Sequence, residues 1–305
     1  MSTGALLFVV NAGVSRVALR AGVDPLTLTS VRVTGTAAVL LLVAALFRRG
    51  ALRPPRGRLG LLLVAHGLVG VAALQWTYFV ALDRLPIGMA LLLEYQAPIL
   101  VALWARVVQK EQVRGRAWAG LALAMVGLAA ATGIWRGATL DGVGIVAGLG
   151  AAVCFSAYFL IGEHGVARLD PLRVILWSFL VATLALNLVS PVTSFPFGQL
   201  GRTAPLLGRL AAYDVPLWTL LAWIVLLGTL LPFGLELLAL SRLRAATVTM
   251  IAMLEPIGVG ALGWAWFYES LDAVAVVGGV AVVAGIVLAQ TSRSAPTLVE
   301  PPHLA

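Results

Sequence analysis

An apolar stretch interrupted by proline occurs twice in this chain, 158 positions apart. The first copy, ALDRLPIGMALLLEYQAPILVALWARVVQKE, begins at Ala81; the second, ALSRLRAATVTMIAMLEPIGVGALGWAWFYE, begins at Ala239. In that register Ala81, Leu82, Arg84 and Leu85 align with Ala239, Leu240, Arg242 and Leu243. Pro98 then aligns with Pro256, Ile99 with Ile257, Glu111 with Glu269, Gly120 with Gly278 and Gly127 with Gly285. Each proline sits near the centre of a span of about twenty apolar residues, where it removes a helical hydrogen bond. A duplicated, proline-broken membrane helix is the best sequence pointer to a transporter's substrate site.

Spans of 18 or more mostly apolar residues recur along the whole chain, and 61% of its 305 residues are hydrophobic against 11% charged. A barrel would instead alternate in strands of about ten residues. The chain therefore reads as an all-α integral membrane protein with ten transmembrane helices, over residues 3–20, 26–46, 59–81, 86–108, 116–133, 142–163, 172–192, 215–240, 245–267 and 272–290. A net charge of +8 invites a nucleic-acid reading. That reading fails because the arginines sit in short loops between apolar spans, where they set topology. Cys154 is the only cysteine, so no intrachain disulfide can form.

Five spans per copy is an odd number, so the copies enter the membrane in opposite directions, as two inverted five-helix repeats. Residues 1–135 and 136–291 are the expected repeats, and 292–305 a disordered cytoplasmic tail. The early parts match at an offset of 146, with Asp24-Pro25 aligned to Asp170-Pro171 and Gly4-Ala5 to Gly150-Ala151. The twelve-residue difference falls in the loop 193–214, where a short interfacial helix around Leu200–Ala211 is expected. Fourteen basic residues, among them Arg48, Arg114 and Arg244, collect on one side of the membrane and six, including Arg16, Arg20 and Arg84, on the other. The richer side is the cytoplasmic one, which places both termini in the cytoplasm of a multi-pass protein of the inner cell membrane. No basic lead precedes the first span, and Met1 aligns with Ala147, five residues inside the sixth span. A native start upstream of Met1, or a short first helix, is expected, and a signal peptide is not.

These features resemble the EamA type of the drug/metabolite transporter superfamily: ten helices, two five-helix copies, and a proline and a terminal Glu in each copy's fourth helix. The resemblance covers nearly the whole chain. LPIGMALLLEYQAPILVAL (85–103) and GTLLPFGLELLALSRL (228–243) are similar to the threonine/homoserine exporter-like members, which carry comparable P-x-G-x-A-x-x-L-E-[FY]-x-x-P and L-P-[YF]-x-L-E-x-x-A-L runs. The chain departs from the pattern at Lys110 and Tyr268, which precede Glu111 and Glu269 where glycine is usual. The resemblance implies a central cavity lined mainly by helices 1, 3, 4, 6, 8 and 9, with helices 5 and 10 peripheral. The residues agree, since Trp118–Thr132 and Ala273–Leu288 carry no charge and are rich in Ala, Val, Leu and Gly, which suits lipid contact and close packing.

Charges inside membrane spans are expensive and default to function. Glu94 lies eight residues into the fourth span, about 12 Å deep at 1.5 Å per residue. Glu255 lies near the centre of the ninth span, immediately before Pro256. A carboxylate in low dielectric takes up protons readily, so either acid binds a substrate ammonium or a coupling proton. The alternative is a structural carboxylate held by Arg32 or by backbone amides freed near the proline. Glu236 follows Pro232, which should kink the eighth helix, and is equally a functional or a structural hydrogen-bonding group. Arg32 lies six residues into the second span, roughly 9 Å deep, at a depth that permits an ion pair with Glu94; snorkelling outward is its other option. Asn11, Gln75, Trp76, Tyr78, Tyr95, Gln96 and Tyr158 are the neutral candidates, as site groups or as interhelical glue. His66 reads as a satisfied structural histidine, Trp264 and Trp266 as an outer aromatic belt, and Glu111 and Glu269 as caps of the following helices. Glu163 and His164 read as solvated groups at a helix end.

No HExxH, no Gly-rich phosphate loop and no thiol with a histidine base is present, so no enzyme, metal, cofactor or ATP-driven chemistry is implied. The expectation is a secondary transporter working by alternating access. It would export a small metabolite such as threonine or homoserine, with proton exchange as a coupling option. Export of cationic drugs is the rival within transport, and a non-transporting receptor or membrane-embedded enzyme the rival outside it. The partners implied are a small-molecule substrate and the lipid bilayer, with a homodimer left open and nucleic acid excluded.

Overall fold

The computed structural model describes residues 2–85, 87–132, 141–268 and 273–291. The expectations placed on Met1, on Glu269 and on the tail 292–305 lie outside those residues.

The apolar spans form helices α1 (Ser2–Arg20), α2 (Pro25–Phe47), α3 (Gly57–Arg84), α4 (in two halves, Ile87–Glu94 and Ala97–Val107) and α5 (Gly115–Thr132). The later spans form α6 (Gly142–Val166), α7 (Pro171–Val189), α8 (Leu217–Leu240), α9 (Ala245–Ala252 and Glu255–Phe267) and α10 (Ala273–Thr291). Among the described residues eight of these are long and apolar enough to cross a membrane, while α5 and α10 contain shorter apolar stretches. The Asp-Pro pairs matched between the copies start their helices alike. Asp24 accepts from the Leu26 and Thr27 amides at the head of α2, and Asp170 from the Leu172 amide at the head of α7. In each, proline stands where its missing N–H costs nothing and the carboxylate satisfies donors that the first turn leaves open.

Helices α5 and α10 pack on each other through the glycines that the duplication aligned. A Cβ on Gly120 would stand 2.5 Å from the Gly285 carbonyl oxygen, and one on Gly127 2.7 Å from that of Gly278. Residue numbers rise along one helix as they fall along the other, so the two run antiparallel. Their outer faces expose Val126, Val276, Val277 and Val280. Neither helix lines the central cavity described below.

Helix α3 widens to a π turn over His66–Ala73, and α8 does so over Leu226–Leu230, at matching places in the duplicated pattern. His66 is fully buried there, with Nδ1 2.7 Å from Ser178 Oγ and Nε2 3.1 Å from the Tyr158 carbonyl. Both ring nitrogens are satisfied, as a structural histidine requires. The loop before α8 differs from expectation. Instead of a helix over 200–211 it holds 3-10 turns at Phe197–Gln199 and Gly208–Leu210, and strands β1 (Thr203–Pro205) and β2 (Asp214–Pro216) paired antiparallel. Pro205 lies in the middle of the expected helix, where it lacks the N–H a helix needs.

Candidate substrate-binding site

Both broken helices break at the same place. The first half of α4 ends at Glu94, Tyr95 and Gln96 turn the chain, and Ala97-Pro98 begins the second half. In α9 the first half ends at Ala252, Met253 and Leu254 turn, and Glu255-Pro256 begins the second. Each proline is thus the second residue of a new helix, a position that needs no backbone donor. Glu255 is the first residue of its half-helix, where the partial positive charge of the N-terminus favours a carboxylate. Pro232 follows the π turn of α8. It cannot donate back to Gly228, four residues earlier, and that carbonyl accepts instead from Arg32 Nη2 at 3.2 Å. Arg32 Nε donates to Thr229 Oγ1 at 2.6 Å.

These elements enclose a cavity of about 100 Å³ among α1, α2, α3, α4, α6, α8 and α9. Its polar groups are Asn11 and Ser15 on α1, Arg32 on α2, Gln75 and Tyr78 on α3, Glu94 and Tyr95 on α4, and Glu255 on α9. Phe8, Phe79, Phe155 and Phe233 supply aromatic walls. The Tyr95 hydroxyl donates to Glu255 Oε2 at 2.7 Å, joining the broken helices of the two halves. Asn11 Oδ1, Ser15 Oγ and both polar atoms of Gln75 are buried with no hydrogen-bond partner among the described residues. Buried polar groups are normally paired, so several orphans around one cavity point to a ligand.

The cavity continues into a wider vestibule of about 430 Å³ that shares Ala12, Tyr78, Leu82 and Val259 with it and reaches Arg16, Arg20 and Asp83. On the opposite side a recess of about 20 Å³ lies where Glu236 meets Glu255. Beyond that recess Arg244 pairs with Glu111 and lies 3.8 Å from Glu163, tying α9 to the ends of α4 and α6. A third hollow, of about 290 Å³, lies between the α1–α2 turn and the long loop before α8; its one acid, Asp24, is engaged in capping α2.

The structure brings together Asn11, Gln75, Tyr78, Glu94, Tyr95 and Glu255, and it redistributes the other candidates. Glu236 lies in the small recess rather than in the main cavity. Tyr158 sits behind the wall, stacked on His66 at 4.9 Å and donating to the Phe233 carbonyl at 3.4 Å. Gln96 turns back on its own helix, donating to the Leu92 carbonyl at 3.4 Å, which suits its place in the α4 break. Trp76 points away from the cavity and is 47% exposed. Arg32 joins the cavity wall, so α2 must be added to the lining helices, but it makes no ion pair with Glu94 among the described residues. Thr229 and the carbonyl freed by Pro232 hold its guanidinium instead. Sequence reasoning missed Ser15 and the phenylalanine walls. Ser15 was detectable as the residue one turn beyond Asn11 on the same helix face; the phenylalanines carry no signal that separates a wall from a core.

Apolar helices broken around an internal cavity, with unpaired polar groups inside and a vestibule leading to it, define a membrane transporter as a class. Residues 1–133 and 142–291 match the EamA-like transporter family, and the chain belongs to it. The threonine/homoserine exporter RhtA of Salmonella typhimurium (strain SL1344) is 25% identical over 246 residues, 80% of this chain and 75% of the relative. RhtA of Escherichia coli K12 is 26% identical over 233 residues, 76% and 71% of the two chains. An uncharacterized transporter of Archaeoglobus fulgidus is 25% identical over 237 residues, 78% and 77% of the two chains. One solved crystal structure shares the fold, with a TM-score of 0.73 over 96% of both chains at 19% identity. The protein is a multi-pass membrane protein and a transporter of this family.

Proposed function

We propose that this protein is a secondary-active exporter in the inner cell membrane, moving a small metabolite of the threonine/homoserine type by alternating access between two inverted five-helix repeats. The observation that carries the reading is the cavity at the two helix breaks. It is lined by Glu94 and Glu255, opens into a vestibule of about 430 Å³ on one side and meets a recess of about 20 Å³ at Glu255 on the other. The open mouth lies on the side poorer in basic residues, so the conformation is outward-open if both termini are cytoplasmic. The two RhtA relatives support the amino-acid substrate class.

The roles divide by chemistry. Glu94 and Glu255 bind the substrate ammonium or exchange it for a proton. Asn11, Gln75, Tyr78 and Tyr95 orient the substrate, and Glu236 receives what leaves Glu255 toward the cytoplasmic recess. Flux of labelled homoserine and threonine in proteoliposomes tests this, together with Glu94→Gln and Glu255→Gln, which keep shape but cannot titrate. Both variants should fold and lose transport; wild-type flux and pH dependence in both would remove the assignment. Export of cationic drugs is the second reading, favoured by acids set among four phenylalanines, whose ring faces attract cations, and a cationic dye in the same vesicles tests it. A receptor or enzyme would bind without moving anything. A reporter fused at residue 305 tests the topology, since activity on the periplasmic side would exclude it.

A further inference from the structure

Among the described residues lining the cavity, Arg32 is the only Lys or Arg side chain. It is 5% exposed, and a buried cation ordinarily needs a partner of opposite charge. A guanidinium has five N–H donors in a planar fork. Two are engaged, Nε on Thr229 Oγ1 and Nη2 on the Gly228 carbonyl. Those two form one edge of the fork. The other edge, Nη1 with the second hydrogen of Nη2, has no acceptor among the described residues. An Nη1/Nη2 edge matches a carboxylate with two parallel hydrogen bonds.

The rest of the cavity is built to the same specification. Gln75, 3% exposed, leaves both Nε2 and Oε1 unpaired. Glu94 lines the same space, and among the described residues it and Arg32 form no ion pair. Glu255, the other acid of the cavity, is engaged by the Tyr95 hydroxyl, so Arg32 and Glu94 are the cation and the carboxylate left apart in this largely apolar space. Inserting a zwitterion turns them into alternating contacts, with the substrate carboxylate on Arg32 and its ammonium on Glu94. A simple amine would leave the guanidinium edge unsatisfied.

We infer that Arg32, with Gln75 in the same cavity, anchors the carboxylate of the transported molecule, which restricts this site to carboxylates, α-amino acids foremost, and makes Arg32 its specificity-determining residue. The inference rests on the transport reading above and narrows its substrate class. Pro232 becomes part of the specificity apparatus, because the carbonyl it frees sets the guanidinium edge that faces the cavity.

The test is ligand-dependent thermal stabilisation of the purified protein by three probes: L-homoserine, 3-amino-1-propanol (the same molecule without its carboxylate) and 4-hydroxybutyrate (without its amine). Homoserine should bind best and aminopropanol worst. Arg32→Lys keeps the charge but not the fork, and should weaken homoserine binding roughly tenfold to a hundredfold while leaving aminopropanol unchanged. Arg32 is buried, so its variants risk misfolding. Gln75→Met, at a side chain that makes no hydrogen bond in the resting protein, provides the second variant; it should fold like wild type and weaken homoserine at least several-fold. Aminopropanol binding as tightly as homoserine would overturn the inference. So would homoserine affinity unchanged in a folded Arg32→Lys or in Gln75→Met, or no binding of either carboxylate. Vesicle flux separates the two claims: homoserine bound but never moved sinks transport and leaves the anchor standing, while flux of amines without carboxylates does the reverse.

Discussion

The hydrogen bond from Tyr95 to Glu255 joins the broken helices of the two halves at the cavity, and removing it has a calculable effect. Tyr95 is 2% exposed and its hydroxyl lies 2.7 Å from Glu255 Oε2, a length usual for a bond to a carboxylate. Tyr95→Phe deletes the donor without moving the ring, which packs edge-on against Phe155 at 6.0 Å. A hydrogen bond to a charged partner contributes about 1.5–3 kcal/mol and one to a neutral partner about 1 kcal/mol. With Glu255 ionised, Tyr95→Phe should therefore lower stability by about 2 kcal/mol. Glu255→Gln keeps a carbonyl oxygen for the same donor and should change stability by less than about 1 kcal/mol. In the Glu255→Gln background, Tyr95→Phe should cost only about 1 kcal/mol, leaving a coupling of about 1 kcal/mol. Equilibrium unfolding in mixed micelles, run on the four members of the cycle, measures it. If the bond also holds the outward-open state, Tyr95→Phe should slow homoserine flux while binding persists. A coupling near zero with Tyr95→Phe as stable as wild type would show that the bond contributes nothing, and the link between the halves would have to be sought elsewhere.

Three further outcomes follow from the packing. Gly285→Ala places a Cβ 2.5 Å from the Gly120 carbonyl and 2.6 Å from the Ala124 amide; backbone cannot yield there, so unfolding should show a loss of about 1–3 kcal/mol, whereas Gly260→Ala, with open space around it, should be neutral or better. Lys110 and Tyr268 hold φ of 55° and 59°, so Lys110→Gly and Tyr268→Gly should each preserve or raise stability, by up to about 1 kcal/mol, and Lys110→Val should lower it, as thermal unfolding will report. Glu94→Gln should leave stability within about 0.5 kcal/mol because Arg32 is held by others, while Thr229→Val removes a buried acceptor from a cation and should cost about 1–3 kcal/mol; the reverse ranking in an unfolding titration would restore the direct Arg32–Glu94 pair.

The Lys110 and Tyr268 result shows how far local pattern carries. Both stand where the resemblance implies glycine, and both hold the left-handed backbone that glycine would favour. The left-handed conformation at these helix ends thus forms at residues that do not favour it. The Asp-Pro helix starts, the two proline breaks and the glycine faces of α5 and α10 were legible for a related reason: each depends on residues within a turn or two of one another, or on a repeated pattern that appears twice. The loop before α8 departs from the expected helix because Pro205 lacks the donor that a helix over 200–211 would need there.

By itself, then, the sequence determined the apolar helices, the breaks at Pro98 and Pro256, and the presence of acids beside those breaks, because hydrophobic period and proline's missing N–H act locally. Only the tertiary structure decided which polar groups share the cavity. Arg32 meets Thr229 across 197 residues and Tyr95 meets Glu255 across 160. Gln96 and Trp76 turn away although their neighbours Tyr95 and Gln75 turn in. On a helix the residue next in sequence points about 100° away, so depth in a span says that a polar side chain must find a partner, while only the packed arrangement of α1, α2, α3, α4, α8 and α9 says which one it finds.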